Sequence, residues 1–456
     1  MDDAWAIAER VRSREVSARE LAQEALSRLP DLDRELGSVW LVTDELALEQ
    51  ADRVDAAVAV GDDPGELAGV TVGWKDLIDT AGVRTTYGSA IWRDHVPDRD
   101  ADCVERLAAA GGVTIGKLAT HELAWGTTTD NPWFGTCRNP HDHDRMPGGS
   151  SGGSGAAVAA GIVAVAPGTD TGGSIRCPAS VCGIVGLKPT FGRVSLAGIH
   201  PLCPTLDHCG PMARTVRDCA LQLEVMAGGP SRDARVPAVP VERWSEGLSG
   251  DLRGMRVGVA ERYFFEHTAA DIAARVRRAV DGLAHAGAEI VEIDLEWPTP
   301  MGEGDPFIPE GAATLQEFWP ARRDEIGPDV ARDLALSDGM AAVPFAAVNQ
   351  YRLEYAGRML EKVRAAGIDV IASPAQAQTP PPTDALTIPY AGHPEMDVTY
   401  AMCGLTLVFN MLGWPAVSVP CGRDDAGLPA GIQLAALPWR EDHCFAAAAA
   451  VEAAAL

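Results

Sequence analysis

Two Gly/Ser clusters and a short list of lysines carry the reactive potential of this sequence. The segment from Arg145 to Pro189 reads RMPGGSSGGSGAAVAAGIVAVAPGTDTGGSIRCPASVCGIVGLKP. Its clusters lie at 148–155 and 169–174, on either side of a small-residue apolar stretch, 156–166. Glycine lets the backbone turn tightly and lets a ligand approach closely. Serine supplies a hydroxyl that serves as nucleophile or proton relay. The apolar filling separates this pattern from a flexible linker, which stays polar throughout. A phosphate-binding loop needs a Lys after its last glycine, and 148–154 has none. G-x-S-x-G does occur, at Gly148–Ser150–Gly152 and at Gly149–Ser151–Gly153. A nucleophile elbow of that type follows a buried strand, whereas the charged run HDHDRMP precedes it here.

The second cluster, Gly168–Thr169–Asp170–Thr171–Gly172–Gly173–Ser174, follows a strand candidate at Val163–Ala166 and precedes a short helix candidate containing Pro178. The successive backbone N–H groups of Thr171, Gly172, Gly173 and Ser174 can converge there into an oxyanion-binding nest; a simple tight turn is the competing reading. Lysine is rare: Lys75, Lys117, Lys188 and Lys362 only. Lys75 ends an apolar run and Lys188 sits in a similar setting. Desolvation would turn either into a neutral amine base, and pattern alone does not separate them. His141 and His143 with Cys137 suggest a metal by type, but their segment offers no strand or helix to fix ligands.

These groups need a frame. Residues 3–60 read as helices, with Ser17 and Glu20 as a capping box. Strands are expected at 69–75, 113–119, 255–260, 289–295, 368–373, 416–420 and 431–436. Helices are expected at 100–111, 213–226, 269–286, within 311–366, at 400–412 and at the C-terminal end. The stretch 194–211 reads as irregular, 230–250 as a surface connection, and Pro298–Pro309 and 376–394 as loops. Alternating strands and helices predict an α/β fold: a large mixed, mostly parallel-type twisted sheet covered by helices on both faces, as a single α/β/α domain.

The chain has 456 residues, 46% of them hydrophobic and 22% charged, so a large core is available. Its formal net charge of −26 repels nucleic-acid phosphates and disfavours nucleic-acid binding. Ten cysteines form no CxxC pair, and several sit in apolar surroundings, which suits a reducing cytoplasm. No apolar run reaches the roughly 20 residues of a membrane helix, and the N-terminal stretch has no signal-peptide core.

Taken together, PGGSSGGSGAAVAAG and GTDTGGSIRCPASVCGIVGLKPTFGRVS resemble the signature of the amidase signature family. GVTVGWKDLIDTAGVRTTYGS is similar to that family's lysine segment, and NMLGWPAVSVPCG and GLPAGIQLAA match in type. The resemblance spans nearly the whole chain and is weaker over 230–395. It implies N-terminal helices over 1–60, a catalytic core over 69–228, a variable substrate-facing region over 230–395 and a return to the core over 396–456. It further implies a Ser–cis-Ser–Lys triad, with Ser174 as nucleophile, Ser150 as bridging serine after a cis bond from Gly149, and Lys75 as base. Backbone N–H groups of Thr171 to Ser174 would hold the oxyanion, and Asp170 and Arg176 would support the loop. No metal or cofactor is implied. The expected activity is hydrolysis of a small-molecule amide through an acyl-enzyme, with a homodimer as the oligomeric candidate. The alternative is the glutaminase component of a tRNA-dependent amidotransferase, which needs a partner subunit. Further alternatives are a non-catalytic binding protein and an α/β-hydrolase-type esterase. Trp125, Thr127, Phe318, Trp319, Tyr351 and Tyr355 are the candidate pocket residues. Trp74 and Thr71 depart from the family's lysine segment.

Overall fold

The computed structural model describes residues 2–296 and 306–455. Eleven strands form one sheet: β1 (Val39–Val42), β2 (Thr71–Lys75), β3 (Val113–Leu118), β4 (Val165–Asp170), β5 (Val185–Lys188), β6 (His208–Ala213), β7 (Arg256–Val259), β8 (Glu289–Glu292), β9 (Val370–Pro374), β10 (Ala416–Arg423) and β11 (Pro429–Ala436). Their order is β1-β3-β2-β4-β6-β5-β10-β11-β9-β7-β8. The mixed, helix-covered sheet agrees with the sequence reading. Its parallel character is confined to two blocks, β3-β2-β4 and β9-β7-β8. Between them, the run from β4 through β6, β5, β10 and β11 to β9 is antiparallel.

Alternation along the strands builds a core on each face. In β4, Val165 joins one apolar cluster, with Leu187, Val417 and Leu434, while its neighbour Ala166 joins the other, with Ile115, Ile175 and Met212. Successive side chains on a strand point to opposite faces, so both faces must be covered. The N-terminal helices Ala4–Arg12, Ala18–Leu32 and Asp44–Val60 supply part of that cover. The capping box forms as predicted: Glu20 N–H donates to Ser17 Oγ (3.1 Å) and Ser17 N–H to Glu20 Oε2 (3.0 Å).

Three strands lie outside the sequence expectations. β1 is a four-residue edge between helices. β5 and β6 are short and rich in Gly and Pro, and 208–213 falls at the end of the stretch read as irregular. The segment read as one helix over 400–412 is two, Val398–Cys403 and Leu407–Leu412, and a small hairpin, 387–390 with 393–397, occupies the loop read over 376–394. The loop read from Pro298 to Pro309 lies largely outside the described residues.

Both Gly/Ser clusters are placed by this frame. β2 and β4 are parallel neighbours, so Lys75 and Asp170 end their strands on the same edge of the sheet. The helix Gly152–Ala159 leads from the first cluster back toward β4, and its glycines let it press against β3. A Cβ on Gly153 would stand 2.4 Å from the Ala119 backbone nitrogen. Gly153→Ala is therefore expected to cost roughly 1–3 kcal/mol, because backbone on the far side cannot yield. Gly282→Ala, in the helix Ala270–His285, meets only a side-chain carbon at 3.6 Å and should gain up to about 1 kcal/mol. Urea denaturation of the two variants checks the pair.

Candidate active site

Lys75 has no solvent exposure and is enclosed by hydroxyls. Its Nζ lies 2.7 Å from Ser150 Oγ, 3.0 Å from Ser151 Oγ and 2.7 Å from Thr169 Oγ1. Ser151 Oγ gives its own proton to the Thr169 carbonyl (3.2 Å) and receives the Thr169 N–H (3.2 Å). Toward Lys75 it can only accept. An amine that donates to Ser151 and Thr169 keeps a lone pair for the hydroxyl proton of Ser150. Burial lowers the Lys75 pKa to about 7, and Asp170 opposes that shift. Among the described residues no carboxylate forms an ion pair with it.

The other buried lysines differ in their partners. Lys188 faces the carbonyls of Pro189 (3.1 Å) and Trp414 (2.5 Å) and Nε2 of His208 (3.3 Å). His208 Nδ1 donates to the Leu206 carbonyl (2.6 Å), which leaves Nε2 as an acceptor. Burial pushes Lys188 well below the usual lysine range, but all three of its partners are acceptors, so no hydroxyl proton faces its nitrogen. Lys117 likewise donates to the Ile78 carbonyl and to Thr85 Oγ1 (2.8 Å), with Asp76 at 3.8 Å. Of the three, only Lys75 has hydroxyls alone for hydrogen-bond partners.

The peptide Gly149–Ser150 is cis, as the resemblance implies. Ser150 is fully buried, and its carbonyl accepts the His121 N–H (3.1 Å) and the Thr120 hydroxyl (3.1 Å). Thr129 Oγ1 donates to the Gly148 carbonyl (2.8 Å). The Ser151 N–H reaches the Ser174 carbonyl (3.3 Å) and ties the two clusters together.

The second cluster is a tight loop between β4 and the helix Arg176–Cys182. Asp170 Oδ2 accepts the N–H groups of Ile175 (3.1 Å) and Arg176 (3.4 Å). Among the described residues, the N–H groups of Gly172, Gly173 and Ser174 meet no protein acceptor. Gly173 has φ +148, and a Cβ there would fall 2.1 Å from Thr406 Oγ1. Arg176 grips Asp170 through Nε (3.0 Å) and Nη2 (2.9 Å) and reaches Asn410 Oδ1 and Gln433 Oε1, both at 2.6 Å. Burial would raise the Asp170 carboxyl, but the Arg176 guanidinium outweighs it and holds the group well below the usual carboxylate range. Thr171 Oγ1 donates to Asp207 (2.7 Å), which also receives the N–H groups of Leu202 and Cys203.

Ser174 opens into a cavity of about 300 Å³. Trp125 and Thr127 line it, together with Thr171 and Gly172. Phe318, Trp319 and Tyr351 do not, and those pocket assignments are corrected. Phe318 packs edge-on against Trp92 (4.9 Å), Trp319 lies under the Arg323 guanidinium (5.5 Å), and Tyr351 stacks on Tyr355 (6.1 Å). Tyr355 is itself buried, its hydroxyl donating to the Glu296 carbonyl (2.8 Å). The aromatic lining comes instead from Tyr263, Phe307, Tyr390 and Tyr400, with Asp333 as its one charged residue among the described residues. Asn410 and Gln433 also escaped sequence reasoning. A lone amide inside an apolar run, as in LVFNML and GIQLAA, was the available signal. His141 and His143 go to other partners, the Cys182 carbonyl (2.9 Å) and Glu35 (2.8 Å).

A fold of this kind, with a buried lysine facing a cis-bonded serine and a second serine in the cavity, defines a class of enzymes acting on amides. The comparisons give the family. The amidase family model matches residues 20–445. The A subunit of glutamyl-tRNA(Gln) amidotransferase from Koribacter versatilis is 37% identical, over 99% of this chain and 97% of its own length. Among solved structures, a protein from a vestigial complex linked to the origins of an s-triazine catabolic enzyme superposes with TM-score 0.92 at 33% identity, covering 100% of this chain and 99% of that one. A bacterial aryl acylamidase of the amidase signature family gives TM-score 0.91 at 28% identity, covering 99% and 96%. The chain belongs to the amidase signature family and is an enzyme acting on amide carbon–nitrogen bonds.

The unfolded lysine keeps its proton up to about pH 10.5, and the folded Lys75 sheds it near 7. Between these values the unfolded chain binds more protons, so this group's contribution to stability rises as pH rises. Lys75→Met is expected to be more stable than the parent at pH 7, by a margin that shrinks toward pH 9. Urea unfolding of both proteins across that range reads the slope.

Proposed function

We propose that the protein is a small-molecule amidase in which Ser174 is the nucleophile, Ser150 the proton relay and Lys75 the base. The observation that carries this reading is the 2.7 Å contact of the buried, hydroxyl-enclosed Lys75 amine with Ser150 Oγ, in a fold where Ser174 lines the cavity. Neutral Lys75 takes the Ser150 proton as Ser150 takes that of Ser174. The Ser174 oxygen then attacks the amide carbonyl. The N–H groups at Thr171 to Ser174 receive the developing oxyanion; donors of this kind are each worth about 3–4 kcal/mol in the transition state. The relay returns the proton to the leaving amine, and water releases the acid from the acyl-enzyme. Asp170 and Arg176 act as positioning residues, since their hydrogen bonds fix the loop on both sides of Ser174. No step in this scheme calls for a metal or a cofactor.

A second reading is the glutaminase component of an amidotransferase, which the names of the curated relatives favour. The cavity favours the first. Free glutamine carries an α-carboxylate, and no Lys or Arg lines the cavity among the described residues. Its lining is mainly apolar and aromatic, suited to an apolar acyl or amine portion.

Alkylfluorophosphonate labelling with peptide mapping should place the adduct on Ser174. Ser174→Ala, Ser150→Ala and Lys75→Ala should each lower kcat/KM by about a thousandfold or more. In the parent enzyme kcat/KM should rise with pH through about 7 as Lys75 loses its proton. An adduct elsewhere, or glutaminase activity that appears only with a co-purified partner, would sink the small-molecule reading.

A further inference from the structure

Resting on the amidase reading, we infer that the substrate is an amide bearing a cationic ammonium group, held by Asp333 in the same cavity as Ser174. Asp333 belongs to the helix Pro328–Ala335. Its Oδ2 accepts the Trp125 indole N–H (3.2 Å), which sets the carboxylate beside an aromatic ring facing the cavity. Aromatic faces with one carboxylate form a site for an alkylammonium ion: the rings offer their negative faces and the carboxylate the counter-charge. Arg332 pairs with the other oxygen of this carboxylate (2.9 Å) and with Asp397 (3.0 Å), so the three side chains together keep one net negative charge, which favours an ammonium over a carboxylate.

The approach to this cavity has the same sign. A second cavity of about 370 Å³ adjoins it and shares Trp125, Asp333 and Thr399. Asp130, Asp329, Asp384 and Asp397 line this vestibule with Asp333, facing Arg332 and the His121 imidazole. Arg332 is committed to Asp333 (2.9 Å) and Asp397 (3.0 Å), and His121 contacts Asp329 (2.8 Å). Among the described residues no ion pair reaches Asp130 or Asp384. An excess of like charge along a low-dielectric cleft concentrates cations at its mouth.

A further polar group awaits a ligand inside. Thr127 is 1% exposed and lines the Ser174 cavity, and among the described residues its hydroxyl has no hydrogen-bond partner. Buried hydroxyls are rarely left unsatisfied. A bound amide supplies both an N–H donor and a carbonyl acceptor for it, so the cavity offers one polar contact for an amide and one anionic contact for an ammonium group.

The test is a matched set of linear amides ending in ammonium, methyl or carboxylate, compared at each of several chain lengths. The ammonium member should exceed the carboxylate member in kcat/KM by about a hundredfold at the best length, and the methyl member should fall between. Asp333→Asn should collapse that ratio about tenfold or more, mainly through KM, and Asp333→Arg should reverse the order. Calorimetry on Ser174→Ala with pentylammonium and with valerate reads the same preference without turnover. Hydrolysis with no charge preference, or a preference that survives Asp333→Asn, overturns the inference and leaves the amidase reading standing. Inert amides with pentylammonium still bound in preference to valerate overturn the amidase reading, and with it the amide substrate, and leave Asp333 as an ammonium site.

Discussion

The Asp170–Arg176 ion pair is the interaction on which the site depends. Both side chains are fully buried, and each is satisfied on every side. A buried ion pair is not a cheap source of stability, because two charges leave water to form it. What it provides here is connection. Arg176 joins the end of β4 to the Thr406 carbonyl, to Asn410 in the helix Leu407–Leu412 and to Gln433 in β11. Asp170 turns back to hold the first N–H groups after Ser174. The loop between them is thus fixed at both ends while Gly172, Gly173 and Ser174 stay uncommitted at its apex.

Burial has opposite consequences for the two kinds of charge around this pair. The Asp170 carboxyl stays ionised because a guanidinium grips it. Lys75 has no such partner, so desolvation brings its pKa down to about 7. The difference lies wholly in what surrounds each group: an ion pair, two backbone N–H groups and the Asn410 amide for Asp170, three hydroxyls for Lys75. Lys188 shows the third outcome, an amine whose partners are all acceptors and which ties Pro189 and Trp414 together. One fold therefore holds one poised amine and two structural ones.

The wider cavity draws on parts of the chain distant from the two clusters. Tyr263 and Phe307 come from the middle of the sequence, Asp333 from a separate helix, and Tyr390, Tyr400 and Leu407 from the hairpin and paired helices before β10. Within the weaker-matching region 230–395, substrate-facing residues alternate with purely structural aromatics. Under the proposed function, the clusters carry the amide chemistry and these later arrivals the selectivity.

The sequence alone determined the α/β class and most strands and helices, and it marked Ser150, Ser174, Lys75 and Lys188 as candidate reactive groups. Local pattern was enough for the elements because each buries a face with its own period. Family resemblance was needed for the Lys75 assignment, since Lys75 and Lys188 both sit at the ends of apolar runs. The physical difference between them appears only in the tertiary structure, because hydrogen-bond partners come from other strands and leave no trace in a lysine's own neighbourhood. The same limit explains the pocket. Phe318, Trp319 and Tyr351 have the composition of a binding surface but spend their faces on other rings and guanidinium groups. Asp333 looks like any solvated helix aspartate until Trp125, more than two hundred residues earlier, is found donating to it. Which face of a helix meets a cavity is decided by how remote segments pack, and no short window of residues records that.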